Sequence, residues 1–355
     1  MRVVKGRGAP DNKASTRFNL PQSEVDGDWL DAMRAANDLP GKPRTIVTAE
    51  HPRTIIARNQ SPDIGFDRSI NAYRGCEHGC IYCFARPSHA YHDLSPGLDF
   101  ETKLFAKPDA AKLLRAELSK PGYRVAPIAM GTNTDPYQPI EAQWQITRQC
   151  IEVLAQTHHP LIITTKSDRI LRDIELLSEV ARQDLIAVAV SITSLDARIS
   201  RTVEPRAPHP EKRLAAVKVL AKAGIPVHVN VAPVIPAITD HELEAILERA
   251  AAAGAYGASY MLVRLPYEVA PLFRVWLDAH YPERAGKVMS IIQSVRGGRD
   301  NSPDFFDRMR GQGPWADLFR QRFRKAITRY HIPRKDIHLR TDLFTPPEGR
   351  QLRLL

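Results

Sequence analysis

Five short, nearly unbroken apolar runs constrain this chain most: VAPIAMG (125–131), LIITT (161–165), LIAVAVSIT (185–193), PVHVNVAP (226–233) and GASYMLV (257–263). Runs of this kind suit parallel strands whose two faces are both covered by helices. The segments between them, IEAQWQITRQCIEVLAQ, SDRILRDIELLSEVARQ, HPEKRLAAVKVLAKAG and ITDHELEAILERAAAAG, carry helical periodicity and are long enough to cross back over a sheet. Gly224 with Pro226, and Gly254 after an Ala-rich turn, mark helix ends, and Pro210 suits a first helical turn. Adding a first strand at about 68–74 gives six βα units, two short of the eight that close a barrel. The chain thus reads as α/β, a partial (β/α)6 TIM-like barrel, with a doubly wound open sheet as the structural alternative.

The strand and helix alternation bounds a core at 46–264. Residues 1–45 mix Gly, Pro, charge and scattered apolar residues without sustained periodicity and read as a flexible N-terminal arm with no chemistry assigned. Residues 265–355 read as a basic, helical C-terminal extension that packs on the core. From residue 264 onward there are 18 Arg and Lys against 10 Asp and Glu, so most of the formal net charge of +10 falls in the last quarter. That permits a nucleic-acid partner, although a basic face is more often simply solvated. No apolar stretch reaches the length of a membrane span, and no secretory leader pattern follows the basic start, so a cytoplasmic location is expected. The oligomeric state is not legible.

Four cysteines are too few for a disulfide framework, and three of them, Cys76, Cys80 and Cys83, lie within eight residues in YRGCEHGCIYCFARPSHAY. The loop follows a predicted strand, at the carboxyl end where barrel chemistry is sited. A C-x3-C-x2-C loop can ligate three irons of a [4Fe-4S] cube and leave the fourth open, and Gly75 and Gly79 would let it fold tightly. A structural zinc site is the alternative, with His78 or His89 as fourth ligand, but the usual second cysteine pair is missing downstream. A non-catalytic metal-binding module that also binds nucleic acid therefore stays open beside the enzyme reading. His78 by itself reads as a surface loop residue, and Cys150, inside the helical pattern 141–157, as a buried structural thiol. Polar segments recur at the predicted strand ends: GTNTDPYQP, TTKSD, SITSLD and NVAPVIP. Each alone suits a turn, and it is their recurrence that points to one converging site.

The cysteine loop, with Tyr82 before its last cysteine, resembles the radical S-adenosylmethionine (SAM) signature. The series YRGCEHGCIYC, GTNTDPYQPIE, ITTKSDRILRD, SITSLD, VEPRAP and VAPVIPAITD resembles the group related to spore photoproduct lyase, over roughly residues 45–330. The resemblance implies a [4Fe-4S] cluster on the three cysteines, SAM on the open iron, and an electron donor such as flavodoxin or ferredoxin. It also implies a 5'-deoxyadenosyl radical that abstracts hydrogen from a substrate. By the same resemblance Tyr82 lies by the adenine, and Gly131, Thr132 and Asp135 meet the SAM amino group. Ser191 and Thr193 meet the ribose and carboxylate, Lys166 and Arg206 reach the carboxylate, and Asn230 and Pro233 approach the adenine. An ion pair of Arg206 with Glu204 or a neighbouring acid is the simpler account of that guanidinium. Spore photoproduct lyase carries a hydrogen-donating cysteine after its second strand. Here that stretch reads Met130, Gly131, Thr132, Asn133, without a thiol, which sets thymine-dimer cleavage in doubt.

Overall fold

The computed structural model describes residues 6–18, 44–333 and 337–347. Its main sheet has seven strands in the order β10-β9-β8-β7-β6-β3-β2. Six are parallel: β3 (Arg68–Ile70), β6 (Ile128–Met130), β7 (Leu161–Thr165), β8 (Ile186–Ser191), β9 (Val227–Val234) and β10 (Gly257–Leu262). β2 (Ile56–Arg58) joins antiparallel to β3, and β10 is the other edge, so the sheet is an open, partial barrel with the six parallel strands the apolar runs predict. β8 is buried at all six positions, as a strand covered on both faces must be.

The crossover helices are α1 (Ala110–Leu118), α2 (Ile146–Gln156), α3 (Ile174–Ala181), α4 (Pro210–Lys222) and α5 (Leu243–Ala252). α4 begins at Pro210 under a His209 side-chain cap. It ends with Ile225 N donating to Leu220 O at 3.1 Å and Gly224 N to Ala221 O at 3.1 Å, and Ala255 N closes α5 onto Ala250 O at 3.0 Å in the same way. Apolar side chains of these helices and strands form one core, with Leu154, Ile163, Val188, Leu214, Val229 and Leu247 all fully or nearly fully buried.

Two regions depart from the expectation. A second, three-stranded sheet stands beside the cysteine loop: β4 (Tyr73–Arg74) and β5 (Lys103–Ala106), both in the connection from β3 to β6, with β1 (Ile46–Ala49) from upstream of the main sheet on the other side of β5. Residues 6–18 of the expected flexible arm are seated against that loop, because Gly8 N and Ala9 N donate to the Glu101 carboxylate at 3.0 and 2.8 Å. The arm's remaining residues, 1–5 and 19–43, lie outside the described ones.

The C-terminal stretch supplies α6 (Val269–His280), α7 (Pro282–Ser294) and α8 (Gly313–Arg329). α6 and α7 share a buried cluster with the cysteine loop, in which Ile81 and Tyr82 meet Phe273, Trp276 and Val288. α8 packs on β10 and α5, with Tyr260 against Phe319 and Phe323 at ring distances of 5.0 and 4.9 Å.

Candidate active site

The loop after β4 turns through Cys76, Cys80 and Cys83 at the carboxyl edge of the main sheet. Its backbone is pinned on both flanks: Cys76 N donates to Phe100 O at 3.0 Å and Ile81 N to Val203 O at 3.0 Å. Arg86, fully buried, donates to Cys80 O at 2.9 Å and Gly79 O at 3.2 Å while its guanidinium pairs with Glu101 at 2.5 Å. The N-terminal strap lies so close that a Cβ on Gly8 would stand 1.7 Å from Gly79 O, so only glycine fits there.

Cys76 and Cys80 are buried and Cys83 is half-buried. Burial first, then Asp135 and the Cys80 thiol, hold Cys76 well above the usual thiol value. Burial, with Glu204 and Cys83 adding to it and Lys166 opposing, pushes Cys80 up to about 12. The three thiols are therefore electrostatic neighbours, with Cys80 acting on Cys76 and Cys83 acting on Cys80. Among the described residues, no three Cys, His, Asp or Glu side chains converge as ligands of a single ion would. A cube asks for a different arrangement, since each sulfur sits on its own iron: thiols that share a pocket without meeting at one point. The loop fits that demand, and a cationic cluster would offset the cost of ionising thiols in this buried setting.

The strand ends surround the loop. After β6, Gly131 adopts φ +92° and a Cβ would stand 2.0 Å from Thr164 O, so the chain passes directly over the end of β7. Thr132 and Asn71 share side-chain hydrogen bonds at 3.0 and 3.1 Å. Thr134 donates to Gly75 O at 2.7 Å, and Gln138 accepts from Glu77 N at 2.9 Å, tying this segment to the cysteine loop. Asp135 accepts from Thr165 Oγ1 at 2.7 Å, Lys166 N at 2.8 Å and Tyr137 N at 2.9 Å, and His78 Nδ1 lies 3.4 Å away. Burial alone would raise the Asp135 carboxyl, but His78 and these donors outweigh it and drive it down to about 2. His78 is thus a buried partner of Asp135 rather than the expected surface residue. His89 is buried too, with Nε2 donating to Lys103 O at 2.8 Å.

After β8, Thr193 donates to Glu204 at 2.8 Å and lies 3.0 Å from Ala232 O, while the Tyr82 hydroxyl donates to the same Glu204. Glu204 pairs with Arg213, which also donates to Ser191 O at 3.2 Å. Burial opposes the Glu204 charge, yet Arg213 and Lys166 hold its carboxyl below the ordinary value. Lys166 Nζ sits 5.9 Å from the Tyr82 ring centroid. Burial works against this ammonium too, and Cys80 and Glu204 keep its pKa above the usual lysine value. Asn230 accepts from Ser259 at 2.8 Å, and Pro233 closes the same strand end.

Arg206 pairs with a nearby acid, as the simpler account expects, but the acid is Glu77 at 3.0 Å and not Glu204, which Arg213 already occupies. Sequence reading missed Glu101, Arg86, Arg213 and Gln138 and saw Glu204 only as a partner for Arg206; all five are fully or almost fully buried. Glu and Arg in a sequence read as solvent-facing, and only the nine-residue step from Glu204 to Arg213 across a helix start could have hinted at their pairing. Cys150 is enclosed in α2 with no exposed surface, and burial pushes its thiol up to about 12.

The family model described as the radical SAM superfamily matches residues 70–250. An uncharacterized protein of Mycobacterium tuberculosis is 41% identical over 281 residues, covering 78% of this chain and 79% of that protein. An uncharacterized protein of Methanocaldococcus jannaschii is 28% identical over 214 residues, covering 60% and 76% of the two chains. Among solved structures, a spore photoproduct lyase superposes with a TM-score of 0.56 at 16% identity, covering 88% of this chain and 84% of that one. At that identity the likeness is one of fold.

Proposed function

The chain belongs to the radical SAM superfamily, and from that premise we propose that it is an enzyme that cleaves SAM at a [4Fe-4S] cluster held by Cys76, Cys80 and Cys83, with its substrate carried by nucleic acid. Held by those three thiols and reduced by an external one-electron donor, such a cluster would supply the electron for reductive cleavage of the C5'–S bond of SAM to methionine and a 5'-deoxyadenosyl radical, the species that would take a hydrogen atom from the substrate. The observation that carries the reading is the set of three neighbouring thiols in one pinned loop at the carboxyl edge of the sheet.

In this reading the protein's own groups bind, orient and balance charge. Lys166, with its ammonium beside Tyr82, binds the SAM carboxylate, and Arg206 supports it from Glu77. Gly131 and Thr132 offer the amino side, Ser191 and Thr193 the ribose side, and Tyr82, Asn230 and Pro233 the adenine side. Asp135 is a positioning residue, since its oxygens already accept from Thr165, Tyr137 and the Lys166 backbone. The stretch Met130, Gly131, Thr132, Asn133 has no thiol and Cys150 is sealed in α2, so the reading is of a modifying reaction that uses no cysteine hydrogen donor. Support for a nucleic-acid substrate comes from the basic last quarter and from guanidiniums laid on aromatic rings, Arg264 on Phe84 at 4.3 Å and Arg308 on Phe305 at 5.0 Å.

Anaerobic reconstitution tests the reading. The protein should take up about four irons per chain and form 5'-deoxyadenosine from SAM under dithionite, and the triple variant Cys76→Ala, Cys80→Ala, Cys83→Ala should do neither. One zinc and no iron, or an iron-loaded protein that leaves SAM intact, would overturn it.

A further inference from the structure

A cleft of about 360 Å³ lies at the edge strand of the sheet, between β10 and α8, and no step above uses it. Its lining includes His228, Tyr260, Arg310, Arg320, Phe323 and Arg324. The Tyr260 hydroxyl is closed off from solvent, and among the described residues no atom completes a hydrogen bond with it. A buried hydroxyl left so is disfavoured relative to a satisfied one, and a ligand oxygen would relieve it. Burial raises the pKa of this phenol and the Arg320, Arg310 and Arg324 charges act against it, with Arg320 placed as a long, poorly formed donor to the hydroxyl rather than a full hydrogen bond. Arg320 and Arg324 are like charges four residues apart on one helix face and both line the cleft, where an anion between them would ease their mutual repulsion. Arg320 also makes an exposed pair with Asp317 at 2.7 Å, and such pairs contribute little. Arg322 of the same helix turns away to Glu244, at 2.6 Å.

The cleft is joined to the cysteine loop by cations. Arg310 ends the short helix Asp307–Arg310 that also carries Arg308. Arg308 and Arg264 feel each other's charge, and Arg264 in turn feels Cys83. Among the described residues, nothing accepts a hydrogen bond from the buried Arg264 Nε. Phe84, next to Cys83, lies under Arg264, and Phe305 lies under Arg308. The Arg308 fork is already held by the Asp63 carboxylate at 2.5 and 2.7 Å, so this residue offers long-range charge and a stacking ring rather than a free fork. Guanidiniums that fork onto phosphate oxygens, spaced with exposed rings on which bases stack, are what a single strand requires.

We propose that the Tyr260, Arg310, Arg320 and Arg324 cleft seats a phosphodiester of a single-stranded nucleic acid whose neighbouring nucleotides run past Arg308 and Arg264 to the cysteine loop. The proposal deepens the nucleic-acid part of the reading above and rests on it. The anion is a phosphate because several planar forks and a phenol donor together match a group with oxygens on more than one side, within a space of nucleotide size.

The test is anisotropy of fluorescein-labelled oligothymidylate on the reconstituted holoenzyme from low to moderate salt, with SAM cleavage under dithionite followed in parallel. The double variant Arg320→Gln, Arg324→Gln should bind about tenfold more weakly at low salt, with a log–log salt slope shallower by roughly 1.4, about 0.7 for each lost phosphate contact. Its substrate-free SAM cleavage should be unchanged, and Arg320→Lys, Arg324→Lys should stay within about threefold of the parent. Tyr260→Phe, which keeps every charge and the apolar packing, should weaken binding about threefold and so separates the site from misfolding. Unchanged affinity and slope in the Gln double variant overturns the proposal. So does a site filled by inorganic phosphate that never takes the oligonucleotide. An active SAM-cleaving enzyme that ignores the oligonucleotide defeats this inference and leaves the radical chemistry standing. Binding that depends on the arginines in a protein that never cleaves SAM does the reverse.

Discussion

Two buried carboxylates hold the cysteine loop, and they do so with different kinds of partner. Glu101 holds backbone: it receives Gly8 N and Ala9 N and pairs with Arg86, which in turn reaches Cys80 O, Gly79 O and Gly97 O. Glu204 holds side chains that face the chemistry: Tyr82, Thr193 and Arg213, with Lys166 and Cys80 in its field. A hub bonded to main chain sets the shape of a loop. A hub bonded to hydroxyls beside a cation sets its charge.

The comparison breaks first at Glu101. Glu101→Ala leaves Arg86 buried without its partner and frees the strap, which should cost about 5 kcal/mol, the upper end for a broken buried pair. Denaturant unfolding of the apo protein reads this loss, and whatever folds should cleave SAM at a near-parental rate per bound cluster. If rate and stability fall together, Glu101 does more than shape the loop. Glu204→Gln keeps an acceptor for Tyr82 and Thr193 but removes the charge facing Arg213 and Lys166, and should cost about 3 kcal/mol. Its SAM cleavage per cluster should drop well beyond any loss of iron, with KM for SAM raised.

The Asp135 node sharpens the same contrast through pH. Its folded carboxyl sits at about 2 against an ordinary 3.8, so it stabilises the fold above the unfolded value and loses that contribution as pH falls from about 4 to 2. The shift corresponds to about 2 kcal/mol at neutral pH. Asp135→Asn should flatten the acid limb of the stability curve, seen as a smaller drop in unfolding midpoint between pH 5 and about 3. An unaltered acid limb would show that the carboxylate is not held by His78 and the Thr165 and Lys166 donors. The smallest effect belongs to Cys150→Ala, which should cost about 1 kcal/mol of packing and leave iron content and SAM cleavage unchanged. A loss of iron there would place a fourth sulfur on the cluster.

What could be read from the sequence, and what could not, divides along the same physical line. The six parallel strands were legible because Val, Ile and Ala runs report burial on both faces directly, and β8 and β9 fall where LIAVAVSIT and PVHVNVAP place them. The three thiols were legible because ligand spacing is local. The strap over residues 6–18 was not, since its hold is two backbone N–H groups on a carboxylate more than ninety residues away, which leaves no periodicity behind. Glu204 was assigned to the nearer Arg206 and Arg213 was passed over, because a charge reads as solvated until the fold buries it. The cleft beside α8 was visible only as a count of arginines. Helical phase decides that Arg320 and Arg324 look one way and Arg322 another.

Electron paramagnetic resonance of the dithionite-reduced holoenzyme, recorded with and without SAM, asks most directly whether one iron is open to a ligand that the chain does not provide. The account predicts a [4Fe-4S] signal whose g-values shift when SAM is added, and which is lost when any one of Cys76, Cys80 or Cys83 is replaced. A signal indifferent to SAM, or one that survives replacement of one of those cysteines, would contradict it.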